Sequence, residues 1–294
     1  MANFFQKSAI SALHPNFIGA IWMMGSVICF LTSNLSVKFA GETLPSIQIV
    51  FLRCLFQSLI LFPLLARQGF GIMRTHSFKN YFFRLFFGVL NIVLMFYAYT
   101  RLEFATATSI VFSRPLFTIV LAAFLLNERV GWKRGAATLI GFIGILVILK
   151  PGPLGLEKAE TAAIVSSLCM AAAHIYIQKL SRTENHTAML VWFAVTAAAV
   201  TSVPAFCVWQ PFGIRTLGVI LVISATATLA QYCIIRAYQV GKSTVVSPLE
   251  YLQIPLSSLV GLAFFGERPT LDFIVGSAVI IAAGLYILRR RPGD

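Results

Sequence analysis

The sequence has few charged residues. Only 11% of its 294 residues are charged, whereas 58% are hydrophobic. A water-soluble domain carries about 25% charged residues, because its surface must be covered with groups that water solvates. The outer surface of this chain must therefore face a medium other than water.

Acidic residues and metal-ligand patterns are also scarce. The chain has 10 acidic residues, and its aspartates are Asp272 and Asp294 alone. Aspartate-rich motifs that hold magnesium-bound diphosphates are therefore missing. The four histidines are scattered without the spacing of metal ligands. The sequence predicts no metal, no cofactor and no catalytic nucleophile–base pair, which leaves an intramembrane enzyme as a distant alternative.

Paired cysteines and a complete phosphate-binding loop are absent as well. The five cysteines lie inside apolar runs and none has C-x-x-C spacing, which is typical of small buried side chains. Gly241, Lys242, Ser243 and Thr244 resemble the end of a phosphate-binding loop. Arg236 stands where that loop requires glycine, so the sequence does not predict ATP hydrolysis.

Long apolar runs occupy most of the chain. In the first half they fall at about 17–38, 46–66, 80–100, 104–126 and 132–150, and in the second half at about 159–180, 187–208, 214–236, 243–265 and 270–289. Each run has roughly the 20 residues that an α-helix needs to cross a bilayer. The runs predict an all-α polytopic membrane protein with about ten transmembrane helices.

The basic residues are distributed unevenly between the two sides of these spans. A net charge of +13 alone could indicate nucleic acid. The basic residues instead occupy short connections, 14 on the side that holds both chain ends and 6 on the other. Because positive segments stay in the cytoplasm, we expect both termini inside a bacterial inner membrane. Membrane lipids are thus expected partners and nucleic acid is not.

The two halves of the chain resemble each other at an offset of about 140 residues. The matching positions are Pro115 with Pro255 and Glu128 with Glu267. Each half has an odd number of spans, so the second half must enter the membrane inverted. Inverted repeats are typical of secondary transporters, because exchanging the conformations of the halves opens a central site to alternate sides.

The motifs L-N-E-R at Glu128 and F-G-E-R at Glu267 each close a proline-containing span. In this arrangement they resemble the drug/metabolite transporter superfamily, and within it EamA-type carriers with two EamA repeats. The resemblance implies repeats at 17–150 and 159–289, a central cavity lined by both halves, and transport without ATP or covalent chemistry.

The expected function is secondary transport of a small polar or zwitterionic metabolite, such as an amino acid, by alternating access. A carrier of vitamins or nucleotide derivatives with the same fold is the alternative, since the family includes such members. A non-transporting scaffold or receptor has no need of two interchangeable halves. A channel would require rings of charge or filter-like loops, which are not evident. Stripes of small residues could pack within one protomer or between two protomers, so a homodimer stays an alternative.

Two charged residues near the middle of predicted spans are the leading site candidates. Arg114 precedes Pro115 in span four, and Glu250 lies between two prolines in span nine. An ionisable side chain at this depth costs at least about 2.5 kcal/mol, so it needs a partner or a function. Arg114 suits a carboxylate or phosphate and Glu250 suits an amine, so together they could hold a zwitterion. The alternative is a structural ion pair that fixes helix register.

Further polar and aromatic residues follow helical stripes that predict a cavity wall. Span three carries Arg84 and Asn91 on such a stripe. Helix–helix contacts of small and polar residues are the alternative explanation. The other substrate-binding candidates are Trp22, Tyr99, His174, Gln178, Gln231, Tyr251 and Gln253.

A last group of residues is predicted to be structural or gating. Glu128 and Glu267 lie near the first turns of spans five and ten, where the helix dipole favours a carboxylate. Pro115 and Pro255 occupy matching positions in spans four and nine. Arg53, one turn before Gln57, is expected to be structural or to extend towards the membrane surface.

Overall fold

The computed structural model describes residues 15–75, 77–125, 132–149, 156–181, 184–240 and 247–289. These residues contain eleven α-helices and two short 3-10 helices, and no strand occurs among them. The α-helices are α1 Pro15–Ala40, α2 Ser46–Gln68, α3 Phe78–Arg101, α4 Phe104–Val111, α5 Arg114–Leu125, α6 Trp132–Leu149, α7 Lys158–Ser181, α8 His186–Cys207, α9 Ile214–Val240, α10 Gln253–Phe265 and α11 Leu271–Arg289. The 3-10 helices are Phe70–Met73 and Ser247–Leu252.

Six of these helices, α1, α2, α3, α7, α8 and α9, are long and apolar enough to cross a membrane. Shorter apolar helices cover residues 135–149, 249–265 and 271–286. Large apolar side chains such as Ile143, Val203 and Phe206 are exposed on the outer surface. A surface of this kind suits lipid, so the prediction of an all-helical multi-pass membrane protein is confirmed. The orientation of the termini stays a prediction.

Predicted spans four and nine are both discontinuous. The first is divided into α4 and α5 by a turn at residues 112–113, and the second changes from 3-10 helix to α10 at residues 252–253. These two breaks are 140 residues apart, which is the offset of the repeat. Pro115 and Pro255 each lie in the first turn of the following helix, where proline needs no intrahelical donor.

The helices pair mainly between the two halves of the chain. The principal pairs are α1 with α9, α3 with α7, α2 with α8, α4 with α10 and α6 with α11. If α1 corresponds to α7, α2 to α8, α3 to α9 and α6 to α11, the first two pairs exchange with each other, and the α2–α8 and α6–α11 pairs map onto themselves. This is the contact pattern of a two-fold axis between the repeats.

Hydrogen bonds show both the antiparallel packing and the repeat relation. Ser26 Oγ donates to the Ala230 carbonyl at 3.0 Å and Ser33 Oγ to the Ile223 carbonyl at 3.2 Å, so α1 and α9 run in opposite directions. In the related pair, Ser166 Oγ donates to the Asn91 carbonyl at 3.3 Å. Ser166 is 140 residues after Ser26, which places it at the equivalent position.

Glycines allow α6 and α11 to approach closely. A Cβ atom at Gly276 would lie 2.6 Å from the Gly144 carbonyl oxygen, and one at Gly144 would lie 2.9 Å from the Gly276 carbonyl oxygen. Two backbones therefore touch where these helices cross, as small residues permit in membrane helix packing. The contact fixes the last span of one half against the last span of the other.

Candidate functional site

The breaks in spans four and nine bring two charged side chains together. Arg114 Nη2 donates to Glu250 Oε2 at 2.8 Å, and the side chains are 20% and 16% exposed. Arg114 is the first residue of α5, and Glu250 lies in the 3-10 helix Ser247–Leu252. The ion pair therefore joins the halves at the two discontinuities, and both side chains remain partly exposed.

Aromatic side chains pack beside this pair. Tyr251 is buried, and its ring centroid lies 6.3 Å from that of Phe112 at the break in span four. Tyr251 directly follows Glu250 in the chain, and Phe112 precedes Arg114 by two residues. Its hydroxyl group occupies the space that a Cβ atom at Gly284 would fill. Gly284 on α11 is thus what allows Tyr251 to lie here.

A second side chain connects the ion pair to the helices of the opposite half. Ser113 Oγ lies 3.0 Å from Ser167 Oγ, which ties the break in span four to α7. His174 lies two turns further along the same helix, α7.

Arg84 was assigned to a polar stripe in the sequence but not to the site. Its side chain is only 6% exposed, and its guanidinium lies 5.4 Å from the centre of the Phe193 ring on α8. Nε and Nη1 are buried and find no hydrogen-bond partner in the described part of the chain. A basic residue inside an apolar run was the signal that could have identified it.

Two other predicted cavity residues have partners on neighbouring helices. Asn91 accepts a hydrogen bond from Ser166 Oγ at 2.9 Å, and its amide nitrogen lies 3.4 Å from Met170 Sδ. Tyr99 is fully buried, and its hydroxyl accepts from Asn34 Nδ2 at 3.2 Å. In this conformation both polar groups join helices, as in the helix-contact alternative.

The remaining predicted binding residues lie at several places in the bundle. Trp22 packs edge-on against Tyr232, with ring centroids 5.9 Å apart, and the Arg236 guanidinium lies 6.0 Å from its ring. Gln253 is buried at the start of α10. Gln231 Oε1 on α9 is buried without a hydrogen-bond partner among the described residues. The Gln178 side chain lies outside the described part.

Glu267, predicted to be structural or gating, joins three segments at one end of the bundle. It forms an ion pair with Lys38 at the end of α1, and its Oε2 accepts from the Phe104 backbone N–H at 2.9 Å. Lys38 Nζ also donates to the Leu102 carbonyl at 3.1 Å. Its repeat counterpart Glu128 lies outside the described residues.

Arg53 is buried inside α2. Its guanidinium lies 5.6 Å from the centre of the Phe96 ring, and its carbonyl accepts from Ser224 Oγ at 3.3 Å. Both polar atoms of the Gln57 side chain are buried without a partner in the described residues. The burial does not fit a side chain that extends to the membrane surface, so of the two expectations the structural one agrees with this position.

A shallow groove of about 320 Å³ lies at the outer edge of α3 and α7. Its walls come from Leu94, Leu156, Lys158, Thr161, Ala162 and Val165. These residues include no predicted binding residue and only one charge. The charged cluster at the broken spans is therefore the better candidate for recognising a polar solute.

Taken together, two inverted sets of helices and a charged cluster at paired breaks define a carrier-type membrane transporter. The profile of the EamA-like transporter family matches residues 17–150 and again 157–289. The chain therefore belongs to the EamA-like transporter family, as its motifs predicted, with one EamA repeat in each half.

Known relatives support this class over nearly the full length. The chain is 30% identical over 276 residues to a riboflavin transporter of Rhizobium johnstonii, covering 92% of this chain and 91% of that protein. It is 27% identical over 284 residues to an S-adenosylmethionine uptake transporter of Rickettsia bellii, covering 94% and 95%. The protein is thus a bacterial-type, multi-pass transporter of a small metabolite and not an enzyme.

A crystal structure of a distant protein has the same fold. It superposes with a TM-score of 0.63 at 15% sequence identity, covering 90% of this chain and 94% of that one. Identity at this level bears on the fold alone. The likeness in fold covers most of both repeats.

Proposed function

We propose that this protein transports a metabolite whose head group carries both an anionic and a cationic charge, with S-adenosylmethionine as the first candidate. The observation that supports this most directly is the Arg114–Glu250 ion pair, which is partly exposed and lies at the two broken spans. A free amino acid, the narrower expectation from sequence, is named by neither relative described above, whereas S-adenosylmethionine contains an amino-acid head group.

The chemistry of the pair suits such a head group. The Arg114 guanidinium can hold a carboxylate with two parallel hydrogen bonds, and the Glu250 carboxylate can hold an ammonium group or lie beside a sulfonium. A zwitterion can replace each partner of the pair by an opposite charge, so neither side chain is left unpaired in the membrane interior. Without the solute, the two residues neutralise each other.

The surroundings of the pair suit a planar body attached to this head group. Tyr251 and Phe112 lie next to the ion pair with ring centroids 6.3 Å apart. Aromatic rings of this kind stack on flat heterocycles such as adenine. The ion pair would then select the head group, and the aromatic rings would favour a solute larger than a simple amino acid.

The fold supports movement of that solute by alternating access. Helix pairs exchange between the halves under the repeat relation, and both broken spans meet at the ion pair. Rocking one half against the other would expose this point to each side of the membrane in turn. The Lys38–Glu267 contact would hold one end of the bundle together in the conformation described.

Riboflavin is the second candidate, because a relative of 30% identity is named a riboflavin transporter. Riboflavin is planar but carries neither a carboxylate nor an ammonium group. Its recognition would depend on the aromatic residues and on neutral hydrogen bonds. Transport of riboflavin would therefore tolerate removal of both charges at Arg114 and Glu250.

Flux measurements on purified protein in liposomes distinguish these candidates. We expect uptake of radiolabelled S-adenosylmethionine that unlabelled S-adenosylhomocysteine inhibits strongly and riboflavin inhibits weakly, because only the first shares the amino-acid head group. Supplying the solute inside or outside the vesicles shows the direction of transport. Riboflavin flux without S-adenosylmethionine flux would instead select the second candidate and reject the zwitterion proposal.

A further inference from the structure

The proline at position 115 removes one hydrogen-bond donor from the backbone of span four. In a continuous helix the Val111 carbonyl would accept a hydrogen bond from the N–H of residue 115, four residues ahead. Pro115 has no N–H, so this carbonyl needs another partner. A backbone carbonyl without a partner is costly inside a membrane, because no water is there to replace the missing donor.

The replacement donor comes from the other half of the chain. Ser167 Oγ on α7 donates to the Val111 carbonyl at 3.3 Å and lies 3.0 Å from Ser113 Oγ. The Ser113 hydroxyl itself donates to the Ile110 carbonyl. Ser113 and Ser167 are both fully buried, so these bonds are shielded from water. One hydroxyl group of the second half therefore holds the chain on either side of Phe112.

This bond differs from the hydroxyl bonds that stay inside one helix. Ser58, Thr118 and Thr201 each donate to the carbonyl four residues earlier in their own helix. Such a bond adds to a helical backbone bond and does not replace one. Ser167 instead bonds across to α4, at the carbonyl that the proline has left without a backbone donor. Loss of the Ser167 hydroxyl would therefore leave a buried acceptor without a partner.

The repeat relation indicates that the fold alone does not require this bond. At the offset of 140 residues, Pro115 corresponds to Pro255 and Ser167 corresponds to Val27. Val27 is buried on α1 and has no hydroxyl group, so it cannot supply the equivalent bond to span nine. The serine is present at the break that Arg114 follows. It is absent at the break where an apolar residue takes the place of the arginine.

We propose that Ser167 is a positioning residue for Arg114. Its bonds fix the backbone from Val111 to Ser113, and α5 begins at the next residue, which is Arg114. They thereby set the direction from which the guanidinium reaches Glu250 Oε2, 2.8 Å away. The inference rests on the proposed function, because the carboxylate of the solute is the group that Arg114 would bind. Ser167 acts through Arg114 and does not itself bind the solute.

The first comparison needs no ligand and uses apparent melting temperatures of the full-length protein in detergent. Pro115→Ala supplies an N–H that can donate to the Val111 carbonyl, so the Ser167 hydroxyl is no longer needed there. We expect Ser167→Ala to lower the melting temperature by at least about 2 °C in the wild type, because a buried carbonyl loses its donor. The loss should be clearly smaller in the Pro115→Ala background.

Ser58→Ala is the matched control, because it deletes the same oxygen atom from a hydroxyl that bonds only the Cys54 carbonyl of its own helix, at 2.8 Å. It should leave the melting temperature almost unchanged. Equal losses from Ser167→Ala in the wild type and in Pro115→Ala, or no loss in either, would overturn the proposal. The Val111 carbonyl would then not depend on Ser167.

A second comparison without ligand links Ser167 to the ion pair. Glu250→Gln removes the charge with which Arg114 pairs. If Ser167 orients Arg114, then Ser167→Ala and Glu250→Gln weaken the same ion pair, so the double variant should lose less than the sum of the single losses. Additive losses would overturn the positioning role. Ser113→Ala, which removes the hydroxyl partner of Ser167, replaces Ser167→Ala here if the latter does not give a monodisperse protein.

Equilibrium binding of two ligands separates positioning from a general weakening of the site. Decarboxylated S-adenosylmethionine lacks the carboxylate of S-adenosylmethionine and keeps its sulfonium, amine and adenine. We expect the wild type to prefer S-adenosylmethionine and Ser167→Ala to reduce this preference at least about fivefold, because the charge-assisted bonds of Arg114 to the carboxylate are weakened. Ser58→Ala should keep the preference of the wild type.

The outcomes distinguish this inference from the proposed function. If Ser167→Ala weakens both ligands equally, or leaves the preference unchanged, Ser167 does not position Arg114 and the inference is wrong. If the wild type binds neither ligand while the melting temperatures follow both expectations, the proposed substrate is rejected and Ser167 keeps its role at the ion pair.

Discussion

Individual polar side chains differ in where their hydrogen bonds go. Asn91 and Tyr99 have partners on neighbouring helices, and Arg114 and Glu250 pair with each other. Arg84 packs against an aromatic ring, and two of its buried nitrogens find no acceptor among the described residues. The sequence identified almost all of these residues because a polar group stands out in an apolar run. The sequence could not distinguish residues that line a cavity from residues in helix–helix contacts, because both produce polar stripes at helical spacing.

Gly284 determines where Tyr251 lies beside the ion pair. A methyl group added at Gly284 would overlap the Tyr251 hydroxyl, so the ring must move in Gly284→Ala. We expect solute affinity to fall about tenfold, since a forced displacement in a packed site costs roughly 1–3 kcal/mol. Equilibrium binding to the purified variant measures this loss.

Gly135→Ala is the control for this change, because a Cβ atom at Gly135 meets nothing within 4 Å. It should bind the solute like the wild type. If Gly284→Ala folds and binds the solute with unchanged affinity, Tyr251 is not part of the binding site.

At the scale of helices, the features to compare with the sequence are the breaks in two spans and the pairing of helices. Spans four and nine were each predicted as one proline-containing apolar run, whereas the described helices break there at equivalent positions of the repeat. The pairing of each helix with a partner from the other half was not readable in advance. Most faces of a membrane helix are apolar or small, so hydrophobic periodicity does not indicate the neighbour.

The crossing of α6 and α11 depends on the absence of side chains at Gly144 and Gly276. In Gly276→Ala the new methyl group would lie 2.6 Å from the Gly144 carbonyl oxygen and 2.5 Å from Ile148 Cγ1. We expect a loss of about 1–3 kcal/mol of stability, because backbone at the contact cannot rotate away. A lower apparent melting temperature in detergent checks this.

The control for Gly276→Ala is Gly218→Ala in α9, because a Cβ atom at Gly218 would meet nothing within 4 Å. Alanine favours a helix over glycine, so this control should keep or slightly raise the melting temperature. Equal melting temperatures for Gly276→Ala and Gly218→Ala would contradict the close packing of α6 and α11.

At the scale of the whole molecule, composition and apolar runs predicted an all-helical membrane protein, and the motifs at Glu128 and Glu267 carried the resemblance to its family. Both predictions are confirmed by the described helices and by the two matches to the EamA-like transporter family. The substrate could not be predicted from the sequence, because the fold determines how a carrier moves and a few side chains determine what it carries. The cytoplasmic position of both termini stays a prediction.

The measurement that tests the central claim most directly is S-adenosylmethionine flux through a protein with the ion pair reversed. Arg114→Glu combined with Glu250→Arg keeps the two opposite charges adjacent but exchanges their places relative to the solute. We expect a melting temperature close to that of the wild type and flux reduced at least about tenfold, since both solute charges then face like charges. Wild-type flux through the reversed pair would contradict the account and leave Arg114 and Glu250 as a structural ion pair.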